Sequence, residues 1–325
     1  MSILDRRRLL TALASLAAAP AARAQAAPWP ARPIRMVIPF PPGGPTDIVA
    51  RVLAERMSRS LGQPIVIENR PGANGNIGND VVAKAEPDGY TVLYNTSSIA
   101  LSPAIYTKLS YDAQRDLAPV VQTATIPMVL AVNPSVPVQD VKGFVEYLRA
   151  RPNALSFGSS GTGNVTHLTA TMLLRSQGIE AVHVPYRGSA PALVDAIAGQ
   201  VQFVTDTVNS ALPLIRDGKL RALAVTSPKR LGPMPDVPTI AETIIPGFDA
   251  GAWQGIMVPA RTPRPVIDRL NAVAMEALAD PAVLAKLAEQ GTEPLGSTPE
   301  EYGRILRAET ERWGRVIAEN GVKLD

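Results

Sequence analysis

Short apolar runs alternate along this chain with stretches whose apolar residues recur every three to four positions, the pattern of strands followed by amphipathic helices. Ile34-Arg35-Met36-Val37-Ile38 is such a run, and it stops at a Pro/Gly turn. Beyond the turn, Ile48, Val49, Val52, Leu53, Met57 and Leu61 fall on one helical face. Thr46 is placed to cap that helix and Gly62 to stop it. Ile65–Ile67 reads as a second strand, Asn69–Gly75 as a loop, Ile77–Ala85 as a helix and Tyr90–Tyr94 as a third strand.

The alternation restarts at Met128–Val132 and continues with a helix over Val141–Arg149, a strand at Leu155–Phe157 and a helix over Val165–Ser176. Ala181–Val184, Val201–Val204 and Leu220–Val225 read as further strands, with a helix over Ala190–Ala198 between the first two. A proline-rich loop over Thr226–Pro238 precedes a strand at Trp253–Val258. From Arg264 to Asn320 the pattern is helical, broken at Gly291–Pro299. Two strand–helix sets followed by a return predict an α/β protein of two domains, each a mainly parallel sheet flanked by helices. The expected boundaries are 25–126 plus 250–325 for the first domain and 127–249 for the second. The linkers then fall near Ala124–Pro127 and Gly247–Ala252, and the carboxy-terminal helices pack back on the first domain.

Two turns carry the candidate chemistry. Gly158-Ser159-Ser160-Gly161-Thr162-Gly163-Asn164 links a strand to a helix, and Pro39-Phe40-Pro41-Pro42-Gly43-Gly44-Pro45-Thr46-Asp47 does the same more than a hundred residues earlier. Glycine lets a ligand approach the main chain, and the following helix presents N–H groups that have no internal partner. Two such turns predict a cleft that closes on a small anion. Nucleotide binding is a poor fit. Gly158 and Gly163 have the outer spacing of a P-loop, but Asn164 and Val165 stand where Lys and Ser/Thr are needed. Thr162 likewise breaks a G-x-S-x-G elbow around Ser160.

His167 and His183 are the only histidines. His167 is expected to face the cleft or solvent, and His183 to be a core residue with one hydrogen bond. No triad or metal-spaced set surrounds them, which argues against a histidine-based hydrolase and a zinc site. Asp206 should emerge at a strand's carboxyl end, either to meet a ligand or to cap the next helix. Arg187 is a charged donor in a turn, equally readable as a solvated surface residue.

The amino terminus changes the charge balance. Arg6-Arg7-Arg8, an apolar stretch from Leu9 to Ala19 and Ala22-Arg23-Ala24 read as an export signal over 1–24, by the Sec or the Tat route. Its removal takes four Arg and one Asp from 32 basic and 29 acidic residues, leaving 28 of each. A neutral chain without a basic, aromatic-rich run is a poor nucleic-acid binder. With no cysteine, disulfides, thiolate metal sites and thiol nucleophiles are excluded.

The chain resembles the Bug family of extracytoplasmic solute-binding proteins of tripartite tricarboxylate transporters. The shared motifs are PFPPGGPTD (Pro39–Asp47), ENRPGANGNIG (Glu68–Gly78), PDGYT (Pro87–Thr91), GSSGTGN (Gly158–Asn164), HVPYRGSAPAL (His183–Leu193), GKLRALAVTS (Gly218–Ser227) and DVPTIAE (Asp236–Glu242). The resemblance implies a two-domain, type II-like periplasmic binding fold that closes over one small organic acid, acts as a monomer and delivers to integral-membrane permease subunits. It implies a ligand carboxylate held by main-chain N–H groups, hydroxyls and bridging water; neither a metal nor a cofactor is expected. On matching positions, Phe40, Gly43, Gly44 and Thr46 contact the ligand from one domain, and Ser159, Ser160, Thr162, Gly163 and Asn164 from the other. Tyr186 and Asp206 are further carry-overs. Arg187 stands where the family commonly has Lys, and Asn164 where it often has Ser. Two other readings stay open: a ligand sensor for a membrane signalling partner, and an enzyme acting on small acids.

Overall fold

Ile34, Met36, Val37 and Ile38 have no solvent exposure, so the first strand is covered on both faces, as a parallel strand between helix layers must be. The structure is a computed structural model that describes residues 29–320, so the export signal and its cleavage site lie outside the described residues. β1 (Ile34–Ile38) leads through α1 (Pro45–Leu61) to β2 (Ile65–Asn69), and α2 (Asn76–Ala83) leads to β3 (Thr91–Thr96). β2 and β3 flank β1, both parallel to it. α3 (Ser98–Ile105) and a single turn, α4 (Ala113–Asp116), bring the chain to a long strand, β4 (Leu117–Val132).

The chain then runs through α5 (Val141–Arg149), β5 (Ser156–Ser159), α6 (Val165–Ser176), β6 (Val182–Pro185), α7 (Ser189–Ile197) and β7 (Phe203–Thr207). β5 pairs in parallel with β6 and β7, which repeats the three-stranded arrangement around β1. α8 (Val208–Arg216), β8 (Arg221–Val225) and α9 (Ile240–Thr243) lead to β9 (Gly251–Pro259). α10 (Arg264–Ala279), α11 (Pro281–Glu289), β10 (Glu293–Pro294) and α12 (Pro299–Asn320) close the described chain. The strand order is β2-β1-β3-β9-β4-β7-β5-β6, with β8 and β10 also pairing with β4.

β4 and β9 depart from the mainly parallel sheet expected. They form an antiparallel ribbon from Leu117↔Pro259 to Pro127↔Gly251, because they carry the chain between the two parallel sets. The residues read as a linker at Ala124–Pro127 therefore lie inside a 16-residue strand. Pro119 and Pro127 argue against a strand in the sequence, since proline donates no ladder hydrogen bond. The ribbon accommodates Pro119 beside a register shift and Pro127 at its last pair.

The last helix packs on the β1 side of this ribbon, against α3 and β4. Trp313 and Tyr302 of α12 are almost wholly buried there. Tyr302 Oη donates to Asn95 Oδ1 at 2.7 Å, and its ring fills the space over Gly255, where a Cβ would lie 2.5 Å away. Glycine at 255 is therefore set by the tyrosine. Arg56 of α1 ties α10 and α11 to the same side through Glu276 and Asp280 at 2.6 and 2.7 Å. No helix among the described residues is long and apolar enough to cross a membrane.

Candidate functional site

The Pro/Gly turn is shaped by one buried carboxylate. Gly43 adopts φ 75°, which favours glycine, and Gly44 caps α1 with Pro45 at its first position. This corrects the expectation that Thr46 caps the helix: Thr46 lies within the first turn and needs no capping bond. Asp47 accepts from Gly43 N at 3.0 Å, Arg51 Nε at 2.8 Å and Asn69 Nδ2 at 3.0 Å. Burial raises the Asp47 carboxyl, but the hydrogen bonds from Arg51, Gly43 and Asn69 outweigh it and hold it below its ordinary value. Asn69 Nδ2 also donates to Phe40 O at 3.0 Å, so Asp47 and Asn69 together anchor the Phe40 main chain.

The glycine turn is built over the two histidines. Gly163 N donates to His167 Nδ1 at 3.1 Å, and Ser159 Oγ lies 2.7 Å from His183 Nε2. The imidazoles stack with centroids 3.9 Å apart, and Phe157 continues the stack. His167 thus faces neither cleft nor solvent, contrary to expectation: stacking on His183 and the Gly163 bond hold it inside. Burial pushes both imidazoles down, to about 3 for His167, where His183 adds repulsion, and to about 4 for His183. Within the turn, Ser160 N is taken by Thr166 Oγ1 and Gly161 N by Ser159 Oγ. Asn164 caps α6, its Oδ1 accepting from Thr166 N at 3.2 Å.

Between the two turns lies a tight cavity of about 70 Å³. Four helices begin on it. Gly44, Pro45 and Thr46 line it from the start of α1, and Asn164, Val165 and Thr166 from that of α6. Gly188, Ser189 and Ala190 open α7, and Thr207, the cap of α8, completes the set. Each helix start carries about half a positive charge and N–H groups without an internal carbonyl. The wall between them is apolar at Phe40, Pro41, Pro191 and Ala252, and Arg187 reaches it from the turn before α7. A second space, lined by Asn74, Thr162 and Tyr186, adjoins the cavity and shares Phe40, Ser160 and Arg187 with it.

The sequence-predicted residues separate into two groups. Phe40, Gly44, Thr46, Ser160 and Asn164 line the inner cavity, and Thr162 and Tyr186 the outer space. Gly43, Ser159, Gly163 and Asp206 line neither. Asp206 is fully buried, and its Oδ1 accepts from Ser189 Oγ and Thr207 N, both at 2.7 Å. It steadies two residues of the wall. Burial pushes its carboxyl up to about 6, against the lowering effect of those bonds. Tyr186 Oη donates to Asp195 Oδ2 at 2.7 Å, and burial together with that carboxylate pushes the phenol up to about 12.

Sequence reasoning missed Thr96, Thr166, Ser189, Thr207 and Gln254, all in the cavity wall. Thr96 and Thr207 end strands β3 and β7, where open α/β sheets place ligand contacts. That placement was the available signal. Asn74 was missed too, although it lies in the ENRPGANGNIG motif. It reaches across the cleft, accepting from Asn164 Nδ2 at 2.8 Å.

Known proteins share this architecture. The tripartite tricarboxylate transporter family receptor profile matches residues 49–322. BugT of Bordetella pertussis is 39% identical over 306 residues, 94% of this chain and 94% of BugT. A solved Rhodopseudomonas palustris protein with adipate is 38% identical, with TM-score 0.88, over 91% of this chain and 100% of that one. MatC from the same organism, solved with bound malate, is 33% identical, with TM-score 0.83, over 89% and 100% of the two chains. In sequence and in fold, the chain belongs to the Bug family of periplasmic solute-binding proteins, the receptors of the tripartite tricarboxylate transporter family.

Proposed function

We propose that this protein captures a small carboxylate between its two lobes in the periplasm and hands it to the membrane permease of a tripartite tricarboxylate transporter. The lobes are 25–126 with 250–325, and 127–249, and they close as the β4–β9 ribbon flexes. The observation that carries this reading is the meeting of four helix starts on one cavity that no acidic side chain among the described residues lines. Their dipoles and N–H groups stabilise an anion without a cationic clamp. Relatives solved with adipate and malate point to the same ligand chemistry. The ligand acts on the equilibrium through its contacts with both lobes, which favour the closed state by the difference in affinity.

The inward packing of the hydroxyl–imidazole pair favours binding over catalysis. Ser159 Oγ and His183 Nε2 have the spacing of a nucleophile and its base. Ser159 is fully buried, however, and lines neither space. His183, held neutral down to about 4, is a poor base for it.

A thermal-shift screen of the mature protein, unfolded and refolded to remove any carried ligand, tests the reading against a panel of small carboxylates. An acid at a hundred times its Kd adds about 2.7 kcal/mol. For a chain of this size that raises Tm by roughly 5–10 °C. A panel in which no acid shifts Tm would contradict carboxylate binding.

A further inference from the structure

Among the described residues, Arg187 is the only charged one in the wall of either the inner cavity or the outer space. It stands in the turn between β6 and α7, and its side chain is exposed. No ion pair within the described residues engages it. The arginines beside the first turn differ: Arg51 holds Asp47 at 2.8 Å, and Arg70 pairs with Glu68. Arg187 apart, the wall of the inner cavity carries no charged side chain among the described residues. It offers helix starts for one carboxylate and an apolar wall of Phe40, Pro41 and Pro191 for a hydrocarbon body. The outer space continues from that wall past Phe40 and Ser160, toward Asn74, Thr162 and Tyr186.

Resting on the carboxylate reading above, we infer that the ligand is an extended dicarboxylate whose second carboxylate is received by Arg187 in the outer space. One acid group fills the inner end, the carbon chain crosses between Phe40 and Ser160, and the far acid group meets the guanidinium. A guanidinium presents two parallel N–H donors that match a carboxylate, which an ammonium does not. An acid with a single carboxylate leaves Arg187 unpaired and forfeits that contact. Arg187 is thus a specificity-determining residue that sets ligand charge, while the helix starts set the affinity common to all acids.

The test is calorimetric titration of the refolded protein with two matched series. The dicarboxylates succinate, glutarate, adipate and pimelate are compared with butyrate, pentanoate, hexanoate and heptanoate. The tightest dicarboxylate is expected to bind at least about tenfold more tightly than its matched monocarboxylate, the scale of a hydrogen bond to a charged group. Arg187→Gln should remove most of that ratio by weakening the dicarboxylate far more than the monocarboxylate, and Arg187→Lys should keep part of it. The ratio should also narrow as salt is raised, since the pair lies near solvent. Equal affinity for the two series would overturn the inference and leave carboxylate capture standing. So would an Arg187→Gln variant that keeps the ratio or weakens both series alike. Silence from every acid in both series would contradict the carboxylate reading itself.

Discussion

Asn164 Nδ2 donates to Asn74 Oδ1 at 2.8 Å, and Asn74 Nδ2 lies 3.5 Å from Gly163 O, so one side-chain amide meets the glycine turn twice across the cleft. Asn74 reaches this position from a left-handed backbone, φ 53°, that asparagine tolerates better than most residues. Asn209 Nδ2 makes a third cross-cleft contact, 3.4 Å from Pro45 O. On the lobe closure proposed above, each contact would add to the closed state alone.

Asn164→Ser separates capping from closure. Serine caps a helix about as well as asparagine, but its shorter side chain cannot reach Asn74. Thermal stability without ligand should stay within about 0.5 kcal/mol of the parent, while affinity falls about five- to tenfold by calorimetry, the worth of roughly one hydrogen bond. Unchanged affinity would remove the asparagine pair from the closing contacts.

Gly163→Ala should act on closure by steric means. Gly163 has φ 72°, and a Cβ there would lie 2.7 Å from Ile105 Cδ1, on the opposite side of the cleft. The left-handed backbone alone costs an alanine about 1–2 kcal/mol. Affinity should drop by more than stability does, and Ile105→Val in the same chain should restore part of it by removing the clashing methyl. Equal losses with and without Ile105→Val would contradict the cross-cleft clash.

The histidine stack predicts an acid response. Both imidazoles have native values, about 3 and about 4, below the ordinary 6.5. The unfolded chain therefore binds more protons between those limits, and stability falls as pH is lowered from 6.5 toward 4. With only two histidines in the sequence, their NMR signals are readily assigned. Both should be flat from pH 8 to 5, and a midpoint near 6.5 in either would contradict the buried stack.

Asp206 predicts the opposite sign. Its native value of about 6 lies above the ordinary 3.8, so the folded chain binds the extra proton between those limits. That share of stability is full below 3.8 and is lost as pH rises through 6. Asp206→Asn lacks this titration. Relative to the parent, the variant should gain as pH rises from 4 to 7, by up to about 3 kcal/mol from the size of the shift. Parallel melting curves for the two proteins across that range would rule out a buried, raised carboxyl.

Much of this architecture is legible in local pattern. The Ile34–Ile38 run, the helix ending at Gly62 and the two glycine turns appear where periodicity and turn chemistry put them. The first half of β4 was not legible, because Pro119 and Pro127 suppress a strand reading that β9 overrides through long-range pairing. The cleft was legible on the residues that make turns, such as Phe40, Gly44 and Ser160. It was not legible on Thr96, Thr207 and Gln254, single polar residues on strands whose function depends on where each strand ends. Asn74 illustrates the remaining gap. Its partner lies 90 residues away, and no local signal marks a contact made only across a cleft.

The most direct measurement is a crystal structure with the tightest-binding acid from the matched series. One carboxylate is expected at the shared starts of α1, α6 and α7, within hydrogen-bonding distance of main-chain N–H groups there. An acid held only at the outer space, with water filling the inner cavity, would contradict it.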